Sequence, residues 1–147
     1  MKKILLFFLM ILCVFFVSCS GSSSDDDLPP ISEAPYAQRL TCAVAIQAIS
    51  DILYEYYSSG TLPANVSESE NALVFTNAEI DDVVLDNTHY KVNLTGTLTG
   101  GDSIIFDFSN ILRESAEGSA NCSLYAVQKD SKVKKIIING TEYDTEK

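Results

Sequence analysis

The chain of 147 residues carries twenty acidic and ten basic side chains, which gives a formal net charge of −10 at pH 7. A surface of this sign is repelled by the phosphates of nucleic acids and by anionic lipid headgroups, so nucleic-acid binding is not expected. Residues 32–147 have the common length of a single domain and can bury one hydrophobic core but not two.

The first eighteen residues have the composition of a signal peptide. Lys2 and Lys3 form a short basic start, and an unbroken apolar run follows over residues 4–17. This run is shorter than the ~20 helical residues that are needed to cross a hydrocarbon core, so a cleaved segment is expected at residues 1–18 rather than a transmembrane helix. Its removal takes away two lysines and changes the formal charge from −10 to −12.

The apolar run ends in Phe16-Val17-Ser18-Cys19. This ending resembles the lipobox of bacterial lipoproteins, with Phe16 in the place of the usual leucine. The resemblance implies that Cys19 receives a diacylglyceryl thioether, and fatty acids such as palmitate, and becomes the first residue of the mature chain. Several acyl chains on one residue hold a protein to a bilayer almost permanently. The alternative is an ordinary secretory signal in which the cysteine is incidental.

Residues 19–31 are rich in Ser, Asp and Pro and contain little that could be buried, so a disordered tether is expected there. A serine-rich stretch followed by Asp25, Asp26 and Asp27 resembles the surface-export signal of Bacteroidota lipoproteins. The resemblance implies an outer-membrane lipoprotein that is exposed on the cell surface. The alternative is a solvated run of charge without an export role.

Two of the four cysteines are accounted for by the anchor. Cys13 leaves with the signal peptide and Cys19 is lipidated, so Cys42 and Cys122 remain in an oxidising compartment. They either form one disulfide or are two separate buried thiols that pack as small hydrophobic groups.

A long helix is predicted over residues 32–57. Ser32 is a good N-cap, Glu33 suits the positive end of the helix, and Pro35 is tolerated in the first turn. Ser58-Ser59-Gly60 supplies the stop. Five residues recur at spacings of three and four, which is typical of one buried helical face: Cys42, Ile46, Ile49, Leu53 and Tyr56.

The hydrophobic period changes from 3.6 to 2 after a polar connection at residues 61–71. Strands are predicted at residues 72–76, 89–99, 103–109, 122–128, 133–138 and 141–143, with a short piece at 83–85. Residues 113–119 are interpreted as a polar excursion between strands. The strand at 89–99 alternates apolar and polar side chains, which indicates an antiparallel sheet with one wet face.

Two hairpins have recognisable turns. A three-residue loop at residues 100–102 aligns Leu98 with Ile104, whereas a two-residue Gly-Gly turn would set the apolar side chains on opposite faces. Asn139-Gly140 is typical of a type I′ turn and predicts that Ile138 pairs with Thr141.

The predicted fold class is α+β, with one long N-terminal helix packed on an antiparallel meander of about five or six strands. This order of elements is similar to the cystatin-like arrangement. Leu94-Thr95-Gly96 does not match the glutamine-valine-glycine loop of cystatin inhibitors, so protease inhibition is not implied.

No pattern of catalytic or metal-binding residues stands out. His89 is the only histidine and is interpreted as a solvated turn residue, and Asp81, Asp82 and Asp86 do not follow the alternating ligand positions of a calcium loop. No nucleophile elbow or phosphate-binding glycine loop is present. The sequence therefore predicts no catalytic residue, metal or cofactor.

Tyr54, Tyr56 and Tyr57 crowd the end of the predicted helix. Tyrosines of this kind can form a recognition patch for a glycan or a protein. The alternative is that Tyr56 and Tyr57 complete the core and only Tyr54 is exposed.

These features favour a lipid-anchored envelope protein with a small non-enzymatic binding domain. One alternative is a small hydrolase, or an accessory to one, that acts on envelope polymer and requires a cleft with paired carboxylates or His89. Another is a structural subunit of a surface assembly, which requires an unpaired apolar edge strand.

Overall fold

The computed structural model describes residues 28–101, 103–129 and 132–145. Within them one α-helix packs on a seven-stranded antiparallel sheet, which confirms the predicted α+β class. Each strand pairs with the next in sequence, so the sheet is a simple meander. The elements are α1 (Tyr36–Ser59), β1 (Val66–Ser69), β2 (Ala72–Leu85), β3 (Thr88–Thr99), β4 (Ile104–Ser115), β5 (Gly118–Lys129), β6 (Lys132–Ile138) and β7 (Thr141–Tyr143).

The predicted start of the helix at Ser32 is wrong. Residues Ile31–Glu33 form a short 3-10 turn, Ala34 is extended, and Pro35 is the N-cap of α1. A proline disfavours the helical conformation in the residue before it, so a helix that began at Ser32 would be interrupted at Ala34.

The chain is already ordered where the tether was predicted to end. The Ile31 N–H donates to the Asp144 carbonyl at 3.1 Å, and the Asp144 N–H donates to Pro29 at 2.9 Å. Ile31 is buried in the core. The entry of the tether is therefore fixed beside the end of β7.

The predicted stop of the helix is confirmed. Gly60 has a φ of 75° and its N–H donates to the Tyr56 carbonyl at 2.8 Å. Glycine adopts this left-handed conformation without the steric cost of a Cβ atom.

Strand β2 joins two predicted pieces that the sequence pattern separates. Its register on β3 is interrupted by a bulge between Phe75 and Ala78 and by another between Ile80 and Val83. Asn77 and Asp82, inside these bulges, have φ of 49° and 59°. A bulge inserts an extra residue and bends the strand. The insertions disturb the period of two, which explains why the pattern breaks while the strand continues.

The β3–β4 hairpin differs from its predicted register by two residues. Leu98 pairs with Phe106 instead of Ile104, so the connection is longer than three residues. A shift of two preserves the face of every side chain, and the predicted inward face is therefore retained. Gly96 pairs with Phe108, where a Cβ atom would lie 2.2 Å from the Asp107 carbonyl oxygen. Only glycine fits this close approach.

The Asn139-Gly140 turn is confirmed. Both residues have positive φ, 48° and 80°, as a type I′ turn requires. Ile138 pairs with Thr141 as predicted.

The core lies between α1 and the inner face of β2–β5. Six consecutive helix residues, 41–46, are each at most 1% exposed. Successive helix residues are about 100° apart, so six of them point in every direction around the axis. The bent sheet and its flanking segments therefore cover this part of α1 on all sides. Among the described residues, no helix combines the length and apolar character needed to span a bilayer.

Candidate functional site

The three predicted recognition tyrosines lie where α1 extends past the cover of the sheet. Tyr54 is 61% exposed, Tyr57 is 38% exposed, and Tyr56 is partly buried. None of them belongs to the buried core. The interpretation that Tyr56 and Tyr57 complete the core is therefore wrong, and Tyr54, Tyr56 and Tyr57 together are called the tyrosine cluster below.

Contacts with β1 hold the middle of the tyrosine cluster in place. The Tyr56 hydroxyl donates a hydrogen bond to Glu68 Oε2. The rings of Tyr56 and Tyr57 are 5.4 Å apart between centroids and inclined at 54°, a favourable aromatic arrangement. Tyr54, by contrast, presents most of its ring to solvent.

Two members of the tyrosine cluster, Tyr56 and Tyr57, have surroundings that favour the neutral phenol. The hydrogen bond to Glu68 raises the pKa of Tyr56 above its ordinary value, and partial burial raises the pKa of Tyr57, with the charge of Glu68 acting in the same direction. The carboxylate of Glu68 lies beside the cluster, and the last turn of α1 has no basic residue.

The two remaining cysteines are brought together. Cys42 on α1 and Cys122 on β5 are 0% and 3% exposed, and their Sγ atoms are 2.9 Å apart. Burial, followed by the contact with Cys122, raises the pKa of the Cys42 thiol. A buried thiol that resists ionisation is a poor nucleophile, so this pair does not have the properties of a catalytic dithiol.

Arg113 is a buried cation that the sequence analysis placed in a polar excursion, and that interpretation is wrong. The side chain lies on β4 and is only 6% exposed. Its Nε donates to Thr41 Oγ1 at 3.1 Å, its Nη1 donates to Ser115 Oγ at 3.0 Å, and the guanidinium lies 5.7 Å from the centre of the Tyr90 ring.

The inward position of Arg113 has a signal in the sequence, which is its spacing from the apolar residues of β4. Arg113 is two residues after the buried Ile111, so it is in phase with the inward face of β4 once the bulge at Asn110 is allowed for. Its contacts join the first half of α1 to the sheet, and we assign it a structural role.

A group of exposed charged side chains lies on β2 and on the neighbouring strand β3. His89 Nδ1 contacts Asp82, and Lys91 Nζ lies 3.7 Å from Glu79 and 3.8 Å from Asp81. These side chains are mostly solvent-exposed. In the described part of the chain, no three His, Cys, Asp or Glu side chains come together as a metal site would require.

Strand β2 also matters for the alternative in which the protein assembles by pairing an edge strand with another chain. Strand β1 pairs only with residues 72–75, so the later part of β2 forms an edge of the sheet. That edge contains two bulges and three carboxylates, of Glu79, Asp81 and Asp82. Bulges and charges are devices that prevent another strand from pairing.

The predicted residues therefore fall into three groups. Cys19 and the signal at 1–18 lie outside the described residues, so the anchor stays a prediction. The tyrosines and the cysteine pair are each brought together, at different places on α1.

In comparisons with known proteins, no family model, no curated protein and no solved structure matches the chain.

Proposed function

We propose that the protein is a lipid-anchored outer-membrane protein, exposed on the cell surface, whose α+β domain is a non-enzymatic binding module. The anchor is Cys19, supported by the basic start, the short apolar run and the lipobox-like ending. The binding surface is the tyrosine cluster. Its partner is a protein or a glycan of the envelope or its surroundings.

The observation that carries this proposal is the position of the tyrosine cluster relative to the tether. The tether enters beside β7, a few residues before α1 begins at Tyr36. An α-helix rises 1.5 Å per residue, so Tyr56 lies about 30 Å along α1 from that start. A domain that is held by its tether entry thus presents the exposed tyrosines at the far end of its helix.

The chemistry of the tyrosine cluster limits the classes of partner that it suits. A tyrosine ring offers a flat apolar face and a hydroxyl, which suits stacking on a sugar ring or a peptide side chain. Such aromatic residues are frequent among the side chains that dominate binding energy. Glu68 beside the cluster repels anions. A neutral glycan or a neutral or basic protein segment is therefore the expected partner.

The other two functions have less support. A hydrolase would need a reactive group in a cleft, but the His89–Asp82 contact is exposed and the cysteine thiols are buried against each other. A subunit that assembles by strand addition would need an apolar edge, but the described edge of β2 is bulged and acidic.

The test is capture of a partner from envelope extracts by the full-length protein. Tyr54→Ala with Tyr57→Ala should reduce capture at least tenfold, the loss expected when hot-spot aromatics are truncated. Tyr36→Ala is the matched control, because Tyr36 is 64% exposed at the other end of the same helix. Equal capture by both variants would contradict the proposed surface.

The anchor has a separate test. Mass spectrometry of the protein taken from membranes should show a mature chain that begins at an acylated Cys19. An unmodified residue at that terminus would contradict the lipid anchor.

A further inference from the structure

We infer that Cys42 and Cys122 form a disulfide that fastens α1 to β5 in the exported protein. The geometry is the first argument. The two residues are 80 positions apart in sequence, yet their Sγ atoms lie 2.9 Å apart with no room for an atom between them. Formation of an S–S bond therefore needs only a small approach of the two side chains.

The surroundings indicate a structural bond rather than a catalytic one. Both side chains are buried, Cys42 by its neighbours in the fully covered part of α1 and Cys122 opposite Ile111 on β4. A catalytic dithiol needs an accessible sulfur whose thiolate is stabilised by nearby positive charge. Within the described residues the pair also has no third metal-ligating neighbour, so zinc is not the reason for the contact.

The chemistry requires an external oxidant. Two S–H bonds break and one S–S bond forms, and the two electrons and two protons pass to the disulfide of a thiol–disulfide oxidoreductase or of oxidised glutathione, which is reduced to two thiols. Because the sulfurs are inaccessible in the native fold, the exchange takes place during folding, before the sheet closes over α1.

An oxidising compartment allows the disulfide to persist, and the long loop that it closes makes it stabilising. The inference rests on the proposed export, because disulfides persist outside the cytoplasm and are rare within it. A bridge that closes a loop of this length restricts the unfolded chain and favours folding about a thousandfold on the chain-entropy model. It also joins the helix to a strand near the middle of the sheet.

The test uses the full-length protein in two states. Protein extracted from membranes should yield one peptide pair linked through Cys42 and Cys122, and no alkylated thiol after unfolding without reductant. The same protein, reduced, unfolded and refolded in glutathione redox buffer, should regain that link. If refolding leaves both thiols open to alkylation, the inference is overturned.

The two arms separate this inference from the proposed function. A link that forms on refolding but is missing from extracted protein would support the bond and contradict export to an oxidising compartment. As a stability readout, reductant should lower the urea midpoint of the wild type and leave that of the Cys42→Ala/Cys122→Ala variant unchanged. An equal midpoint for the wild type with and without reductant would contradict a stabilising bridge.

Discussion

The two parts of helix α1 differ in composition and lie in opposite environments. Residues 40–49 are apolar or small and almost completely covered, with Gln47 the main exception. Residues 54–57 include three tyrosines, yet they are exposed or only partly buried. The burial pattern places the boundary between the covered and the exposed part of α1 after Leu53.

The cause of the difference lies in the strands. The strands β2–β5 contact α1, and bulges interrupt the pairing of β2 and β4. Small residues such as Ala43, Ala45 and Ala48 allow a close approach in the covered part. Beyond Leu53 the helix extends past this cover, and its side chains become available to a partner.

The largest expected effect comes from the covered part. Ile46→Ala removes a side chain that is fully enclosed, so it should lower the free energy of unfolding by about 3 kcal/mol through lost burial and a residual cavity. Tyr54→Ala, in the exposed part, should change it by less than about 0.5 kcal/mol. Urea denaturation of the two variants measures both losses in the free energy of unfolding. Similar losses would contradict the difference between the covered and the exposed part of α1.

The next effect concerns the buried cation. Arg113→Lys keeps the charge but replaces a weakly hydrated planar group, which lies 5.7 Å from the centre of the Tyr90 ring, by a strongly hydrated ammonium, so a loss of about 2 kcal/mol is expected. Arg113→Met removes the charge and keeps most of the packing, with an expected loss of about 1 kcal/mol. If the lysine variant is the more stable of the two in urea denaturation, the structural role assigned to Arg113 is wrong.

A smaller effect is expected at the end of the helix. Gly60→Ala places a Cβ atom in open space but forces alanine into the left-handed conformation, which should cost about 1 kcal/mol. Gly100→Ala is the control and should be nearly neutral, because Gly100 does not have a left-handed φ and an added Cβ atom would make an ordinary contact with the Asn71 carbonyl oxygen. Thermal unfolding of both variants measures the difference, and equal melting temperatures would show that the cap is unimportant.

The smallest effect is a shift in titration. The pKa of Tyr56 is raised in the folded state, so its hydrogen bond to Glu68 stabilises the fold fully below the unfolded pKa near 10, and this contribution is lost as the pH rises through the folded pKa. Glu68→Gln should lower the pKa of Tyr56, which ultraviolet absorbance of tyrosinate reports. Glu70→Gln removes the same charge two residues away and serves as the control. An unchanged titration in the Glu68 variant would contradict the contact.

Some features of the fold, and the grouping of the tyrosines, were predictable because they depend on residues that are close in sequence. Gly60, Asn139 and Gly140 have positive φ, and glycine and asparagine are the residue types that favour this conformation, so the cap and the turn could be predicted from the sequence. The tyrosine cluster was predicted as a group because its members are neighbours along one helix. Its exposure was an open alternative, since the pattern of α1 does not show where the sheet ends.

The rest depended on contacts across the sheet. The burial of Arg113 follows from its phase on β4 after a bulge, and the register of Leu98 with Phe106 follows from the longer connection between β3 and β4. A bulge adds one residue and reverses the inward and outward positions that follow it, so simple alternation cannot locate it.

By itself the sequence determined that one helix precedes a run of strands, the C-terminal cap of α1 and the type I′ turn, because each depends on interactions within a few residues. The prediction of a connection throughout residues 61–71 was wrong, since β1 (Val66–Ser69) lies within it. The sequence also supplies the only argument for the anchor at Cys19. The tertiary structure alone decided which part of α1 is covered, that Arg113 is buried, and that Cys42 meets Cys122. Those outcomes depend on contacts between residues as far as 80 positions apart, which are settled only when the bent sheet closes on the helix.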